Sequence, residues 1–310
     1  MAKKMIGLEF DVHELRAVEL SGDRVEAYGK APLPPGVIEE GFIARPDEAS
    51  RALKALLKQN SFKCTDVCIG VNNQNVIVRM ASFRKMTPEK QRNLIMLQAQ
   101  EFIPLPLAEL QLDYVPCQTR MNGQEEFLNV LLVGARKKML QEIMHVVSSA
   151  KLLIHDIDAG LLAAGRAALA ASRSEVFGVL QFESGTLNIL IFNKETIAFA
   201  RSVQMAPGIR QEIIRGGALT EMCLSSLKEV ISAEMTSSVN YYRMQNDQPL
   251  EMVYLYGMAA EGELQSIADH VGGQIGVSVT VPKLYQTIAT MLPVQVYAGC
   301  ISLAKKGMEV

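Results

Sequence analysis

The stretch "EFDVHELR" gathers more acid than any short turn needs. Glu9, Asp11 and Glu14 fall close together, with His13 among them and Arg16 just beyond. Turns that cradle phosphate are rich in Gly and Ser, because phosphate needs close backbone N–H groups. Carboxylates offer acceptors instead and suit cations. Three readings of these acids are open. They form a solvated acidic turn, a weak site for a hard metal ion, or salt bridges to the opposite side of the molecule through an arginine such as Arg16 or Arg201.

The other reactive side chains are dispersed. The five cysteines are scattered, and Cys64 and Cys68 in "CTDVC" have no histidine pair nearby, so reduced structural thiols are expected and a zinc site is not. His13, His145, His155 and His270 are isolated from one another. A net charge of -2 gives no basic excess for nucleic acid. The start "MAKKMIGLEF" lacks the long apolar region of a signal peptide. The longest apolar candidate, "AGLLAAGRAALAA", is broken by Arg166 and falls short of a membrane span. A soluble, cytosolic protein is expected.

The elements that must position the acids follow from periodicity. "MIGLEF" and "LRAVEL" read as strands on either side of the turn, and "RVEAYGKAPL" follows the turn signal Gly22-Asp23. "PDEASRALKALLKQN" reads as a helix capped by Asp47, with Ala52, Leu53, Leu56 and Leu57 as its apolar stripe. "DVCIGV" and "NVIVRMASF" are strands with polar "NNQN" between them. A second unit runs from residue 84 to 151. It opens with a helix at Thr87-Pro88, continues as a hairpin turning at Asn122-Gly123, and closes with the helix "KKMLQEIMHVVSSAKL". The third unit, 152–310, repeats the first in outline. It begins with "LLIHDI" and the "AGLLAAGRAALAAS" helix. A second meander follows, then a long helix with Leu224, Leu227, Ile231, Met235, Val239 and Tyr242 on one stripe. The strand "EMVYLYG", a helix stopping at Gly272-Gly273 and a last helix, "PVQVYAGCISLAKKG", complete it. Doubled meanders with helices suggest two α/β lobes facing a cleft. Residues 1–83 form the first lobe, 84–151 an inserted α+β unit and 152–310 the second lobe, whose last helix packs back on the first.

Several stretches together carry a family likeness. They are "IGLEFDVHELRAVEL", "FIPLPLAELQLDY", "VLLVGARKKMLQEIMHVVSSAKLLIHDIDAGLLAAGRAAL", "LKEVISAEMTSSVNYYR" and "VYAGCISLA". In their order and spacing the chain resembles the PilM family, cytoplasmic actin-like proteins of type IV pilus assembly related to the cell-division protein FtsA. The resemblance implies an actin-like, ribonuclease H-like fold with lobes around an ATP cleft. It also implies a scaffold on the inner face of the membrane that binds the N-terminal cytosolic tail of PilN, a membrane-anchored pilus protein.

The family's first phosphate loop is D-x-G-x-x-S; here Glu9, Asp11 and Glu14 stand in that register. Its second, D-x-G-x-x-x-T, is met by Gln181 at the Asp and Glu183 at the Gly, with Thr186 and Asn188 near the threonine. At the adenosine region Gly257 remains, while Met258 and Ala259 replace glycine. Acids placed where phosphate oxygens should lie repel them, and without an Asp at 181 a magnesium ion loses an oxygen ligand. The expectation is a vestigial cleft with no catalytic residue, no metal and no cofactor, ATP with Mg²⁺ being the family alternative. Function then falls to surfaces. In the family the tail lies in a groove between the first lobe and the inserted unit, and the matching residues are Ile77, Arg79, Phe83, Leu94, Leu97 and Phe102. Each apolar one of these also reads as core. The alternatives are an ATP-binding switch of the same family, a cytoplasmic GspL-like component of type II secretion, and a sugar-kinase-like enzyme.

Overall fold

The computed structural model describes residues 3–183, 185–215, 217–285, 288 and 291–309. The chain first builds β1 (Lys4–Phe10), β2 (Glu14–Ser21), β3 (Arg24–Pro32), the short pair β4 (Ile38–Glu39) and β5 (Phe42–Ile43), α1 (Pro46–Gln59) and β6 (Asp66–Val71). Next come β7 (Val76–Arg84), α2 (Pro88–Gln98), β8 (Leu110–Asn122), β9 (Glu125–Arg136), α3 (Lys137–Ser149), β10 (Leu153–Ala159) and α4 (Gly160–Leu169). The remainder forms β11 (Val176–Phe182), β12 (Thr186–Asn193), β13 (Thr196–Gln204), α5 (Pro207–Arg215), α6 (Glu221–Gln245), β14 (Met252–Gly257), α7 (Glu261–Ile275), β15 (Ser278–Thr280) and α8 (Val294–Glu309).

Two five-stranded sheets repeat one pattern, ordered β10-β6-β1-β2-β3 and β13-β12-β11-β14-β15. In each, an antiparallel three-strand meander is extended by parallel pairing of its first strand with a later one. The central strands β1, β2, β11 and β12 are buried nearly end to end, whereas β3 alternates exposed and buried as an edge strand with one wet face. The stripe of α6 behaves as its spacing predicts: Leu227, Ile231, Met235, Val239 and Tyr242 are buried against the second sheet, with Leu224 at the margin.

The third sheet, β7-β9-β8, stands apart from these two. One of its faces buries Ala81, Phe83, Val130 and Leu132 with Ile95 of α2 and Ala99. The other places Val78 and Leu131 against Phe177, Val179 and Leu190 of the second lobe. Its hairpin turns at Gly123, whose φ of +63° a glycine adopts without strain.

Sheet membership departs from the expected divisions at 84 and 151. β7 pairs with β9 along its whole length and so belongs to the inserted sheet, not the first lobe. Helix α3 sends Met139, Ile143, Val146 and Val147 into the first-lobe core beside Leu53 and Leu56 of α1. β10, the "LLIHDI" strand, pairs with β6 and completes the first sheet instead of opening the second. Hydrophobic patterning marks a strand but not its neighbour, so local sequence could not settle these three memberships. Two helix ends also differ. Arg45, not Asp47, is the N-cap of α1, with Asp47 in its first turn. Helix α7 runs through Gly272 and Gly273 to a left-handed cap at Gly276.

Helix α8 lies against the first sheet at backbone distance. A Cβ on Gly7 would fall 1.8 Å from the Cys300 carbonyl oxygen, and one on Gly307 would fall 2.5 Å from the Cys68 sulfur. Glycine at these positions brings the helix down onto β1. Among the described residues no helix is long and apolar enough to cross a membrane.

Candidate functional site

The two meanders turn in the same way. Across β1–β2 the register pairs Glu9 with Arg16 and Phe10 with Leu15. Across β11–β12 it pairs Gln181 with Asn188 and Phe182 with Leu187. The Asp11 amide donates to the Glu14 carbonyl at 3.0 Å, and the Glu183 amide donates to the Thr186 carbonyl at the same distance. Glu9, Asp11, Glu14 and Arg16 of one lobe thus correspond to Gln181, Glu183, Thr186 and Asn188 of the other.

Arg16 is the hub between these turns. Its guanidinium lies 3.1 Å from Glu183 Oε1, 3.6 Å from Glu9 Oε2, and 3.8 Å from both Asp11 Oδ2 and Glu14 Oε1. None of the five residues is more than 6% exposed. The solvated turn is therefore overturned, and the salt-bridge reading through Arg16 is the arrangement formed. The physical reason is the cover that α8 supplies: a Cβ on Gly299 would sit 1.9 Å from Glu9 Oε1, and the Cys300 thiol donates to Glu9 Oε2 at 3.3 Å. Arg201 does not take part; it pairs at 3.0 Å with Glu234 of α6.

Asn72, from the polar link after β6, makes a second bridge between the lobes. Its Nδ2 donates to Glu183 Oε2 at 2.8 Å, while its Oδ1 accepts from Thr186 Oγ1 at 2.9 Å and Asn188 Nδ2 at 3.1 Å. Gln181 Nε2 donates to Glu183 Oε1 at 2.9 Å, and Asn188 Nδ2 to Gln181 Oε1 at 3.2 Å. Sequence reasoning passed over Asn72, since one asparagine in a polar link carries no signal of its own.

Burial sets the electrostatics. It pushes the Glu9 carboxyl up to about 7, against the pull of Arg16 and with the push of Glu183 and Asp11. Burial also works against the Arg16 charge, but Glu183, Glu9 and Asp11 outweigh it and drive its pKa further up. The Cys300 thiol is pushed up by burial and by Glu9 beside it.

A cavity of about 480 Å³ opens beside this cluster. Glu9, Glu14, Arg16 and Glu183 line one end, and Ile213, Leu219, Met258 and Ala259 the other. Gly257 is accounted for by packing, because a Cβ there would lie 2.5 Å from the Phe182 carbonyl oxygen. The polar end is a poor fit for magnesium triphosphate. Three carboxylates, Glu9, Glu14 and Glu183, outnumber the two cations that line it, Arg16 and Lys30, the latter 3.3 Å from Glu14 Oε2. Each unit-charge pair at 4 Å repels by roughly 1 to 4 kcal/mol between watery and protein-surface dielectrics. Among the described residues no three His, Cys, Asp or Glu side chains are grouped to hold a metal ion.

The sequence pattern of the type IV pilus assembly protein PilM matches residues 7–215. The chain belongs to the PilM family. A solved structure described as a PilM-PilN type IV pilus biogenesis complex is similar over 99% of this chain and 99% of that one, at TM-score 0.82 and 22% identity. The ethanolamine utilization protein EutJ from Carboxydothermus hydrogenoformans is similar over 98% of this chain and 90% of its own, at TM-score 0.56 and 13% identity. The fold is the actin-like α/β fold that the sequence implies, with two lobes and an inserted sheet.

Within this PilM fold the six expected partner residues separate. Phe83 is fully buried and meets Phe102 edge-on at 5.4 Å, with Ile77 and Leu94 packed on the same core between the inserted sheet and α2. Only Arg79 and Leu97 are exposed, Leu97 at 80%. Arg79 lines a cavity with Phe199 and Tyr241 of the second lobe, away from the first. The groove that does lie between the first lobe and the inserted sheet holds about 390 Å³. Its apolar lining includes Val133, Met139, Met144 and Ile157, and its acids are Asp113, Asp156 and Asp158. β8 and β10, the edge strands of their sheets, flank it.

Proposed function

We propose that this protein is a holding component of type IV pilus assembly that docks the N-terminal cytosolic tail of a PilN-type inner-membrane protein and does so without ATP. The observation that carries this reading is the PilM family match over residues 7–215. The groove between β8, α3 and β10 supports it. An edge strand accepts an extended segment, and exposed Met144 beside Leu140 and Ile157 suits a short apolar motif. Cytoplasmic flanks of membrane helices carry an excess of Lys and Arg, which the exposed Asp113 would meet, while Asp156 holds Lys306. In this reading the protein works at the cytoplasmic face of the inner membrane through its partner. The charged cluster supports the absence of ATP chemistry, since carboxylates and Arg16 fill the space between the turns.

Fluorescence anisotropy with a labelled tail peptide of the partner tests the docking. Asp113→Lys with Met144→Glu is expected to weaken binding about tenfold or more, whereas Arg79→Glu with Leu97→Asp leaves it unchanged. The opposite pattern returns the site to the β7–α2 side. Isothermal titration with Mg-ATP tests the second half of the reading, and low-micromolar affinity would end it.

A further inference from the structure

We infer that Arg16 is a built-in counter-ion that clamps the two lobes in one relation, so that their closure is set by the protein's own charge and not by a ligand. This goes beyond the tail-docking reading and does not rest on it.

The first lobe presents Glu9, Asp11 and Glu14 toward the place where the second lobe presents Glu183. Taken alone, these two walls repel. One guanidinium reverses the sign of the contact. The planar fork of Arg16 splits its duties: Nε faces Glu9 and Glu14, while one terminal nitrogen faces Asp11 and Glu183. Other ionisable neighbours include His13, whose Nδ1 is 4.0 Å from Asp11 Oδ2, the Cys300 thiol on Glu9 and Lys30 on the outer oxygen of Glu14. Each Glu183 oxygen also accepts from an amide, Oε1 from Gln181 and Oε2 from Asn72. Among the described residues, two first-lobe side chains, Arg16 and Asn72, make the polar contacts to this turn of the second lobe. Arg16 supplies the charge and Asn72 the hydrogen bonds to Glu183, Thr186 and Asn188. A lysine cannot take this place, because its compact ammonium lacks the fork that reaches acids on both sides.

Hydrogen exchange by mass spectrometry, with small-angle scattering on the same samples, tests the clamp. The unmodified protein is expected to give one scattering profile and slow exchange across 181–188, neither altered by millimolar Mg-ATP. In Arg16→Met, amides of 181–188 should exchange about tenfold faster or more, and the radius of gyration should grow. Arg16→Lys should resemble Arg16→Met. Wild-type exchange and scattering in a folded Arg16→Met protein would overturn the clamp, as would a Mg-ATP-driven change in the unmodified one. If Arg16→Met does not fold, Glu183→Gln decides. It keeps the side-chain shape and leaves Arg16 balanced within its own lobe, so faster exchange at 181–188 supports the clamp and unchanged exchange refutes it. Tail-peptide affinity is measured in parallel, so loss of the clamp and loss of the docking site are told apart.

Discussion

The turn after β1 and the turn after β11 share a backbone path and a strand register, yet the register pair that flanks the first is charged and the pair that flanks the second is two amides. In the second lobe Gln181 and Asn188 bond to each other and stay neutral. In the first lobe the equivalent pair is Glu9 and Arg16, and it recruits Asp11, Glu14 and the facing Glu183. The contrast separates two layers of information. Aliphatic alternation along β1, β2, β11 and β12 sets the meander, and the polar residues at its turn are free to diverge. The amide pair needs no counter-ion, and its further bonds, to Glu183 and to Asn72 of the other lobe, leave it neutral. A buried ion cluster depends on everything that covers it, here α8 and the opposite lobe.

The largest expected effect follows from that dependence. Arg16→Met leaves buried carboxylates without their counter-ion and should destabilise by about 3–5 kcal/mol. Asn188→Ala, at the matching place in the second lobe, removes hydrogen bonds from a neutral network and should cost about 1–3 kcal/mol. Urea unfolding of both variants measures the difference as a shift in midpoint at constant slope. Equal losses would break the comparison.

The sequence told much of this and misled at identifiable points. The meanders, the hairpin at Asn122-Gly123 and the α6 stripe were legible because each is a local pattern. The acidic turn was legible as a cluster, and Arg16 as one of two possible partners. Its burial was not legible, because cover comes from Gly299 and Cys300 nearly three hundred positions away. The candidate partner residues were ambiguous for a related reason. Ile77, Phe83, Leu94 and Phe102 have the composition of a binding face, but where α2 packs on the inserted sheet Phe83 is buried and the other three are half-buried against the same core. Residues from β8, α3 and β10 line the groove between the first lobe and the inserted sheet, and no short stretch of chain holds them together.

A middle-sized effect sharpens the charged half of the comparison. Glu9 titrates near 7 in the folded protein because it is buried, against an ordinary value of 4.5. The native state therefore holds a proton there that the unfolded chain gives up earlier. The resulting stability is full below about 4.5 and declines as the pH rises through about 7. Glu9→Gln removes the titration, so the stability difference between wild type and variant should drift by on the order of 3 kcal/mol or less between pH 5 and pH 8, with wild type losing ground at the alkaline end. Gln181, the matching residue, has no proton to lose, and Gln181→Ala should give a flat difference. A pH-independent gap for Glu9→Gln would mean that Glu9 stays ionised throughout.

The smallest effect tests whether the cluster is dry. Lys30 reaches Glu14 from the rim, and its side chain is 56% exposed. Water and salt screen such a pair, so Lys30→Met should cost only about 0–1 kcal/mol. The informative quantity is how that loss responds to salt. At 1 M salt the screening length falls to about 3 Å, and the Lys30→Met loss should vanish. The Arg16→Met loss should survive the same salt, because ions do not enter between side chains that are at most 6% exposed. If salt erased both losses alike, Arg16 would be an ordinary solvated ion pair. The charged turn would then differ from the amide turn in composition only, and the case for a fixed counter-ion between the lobes would fall with it.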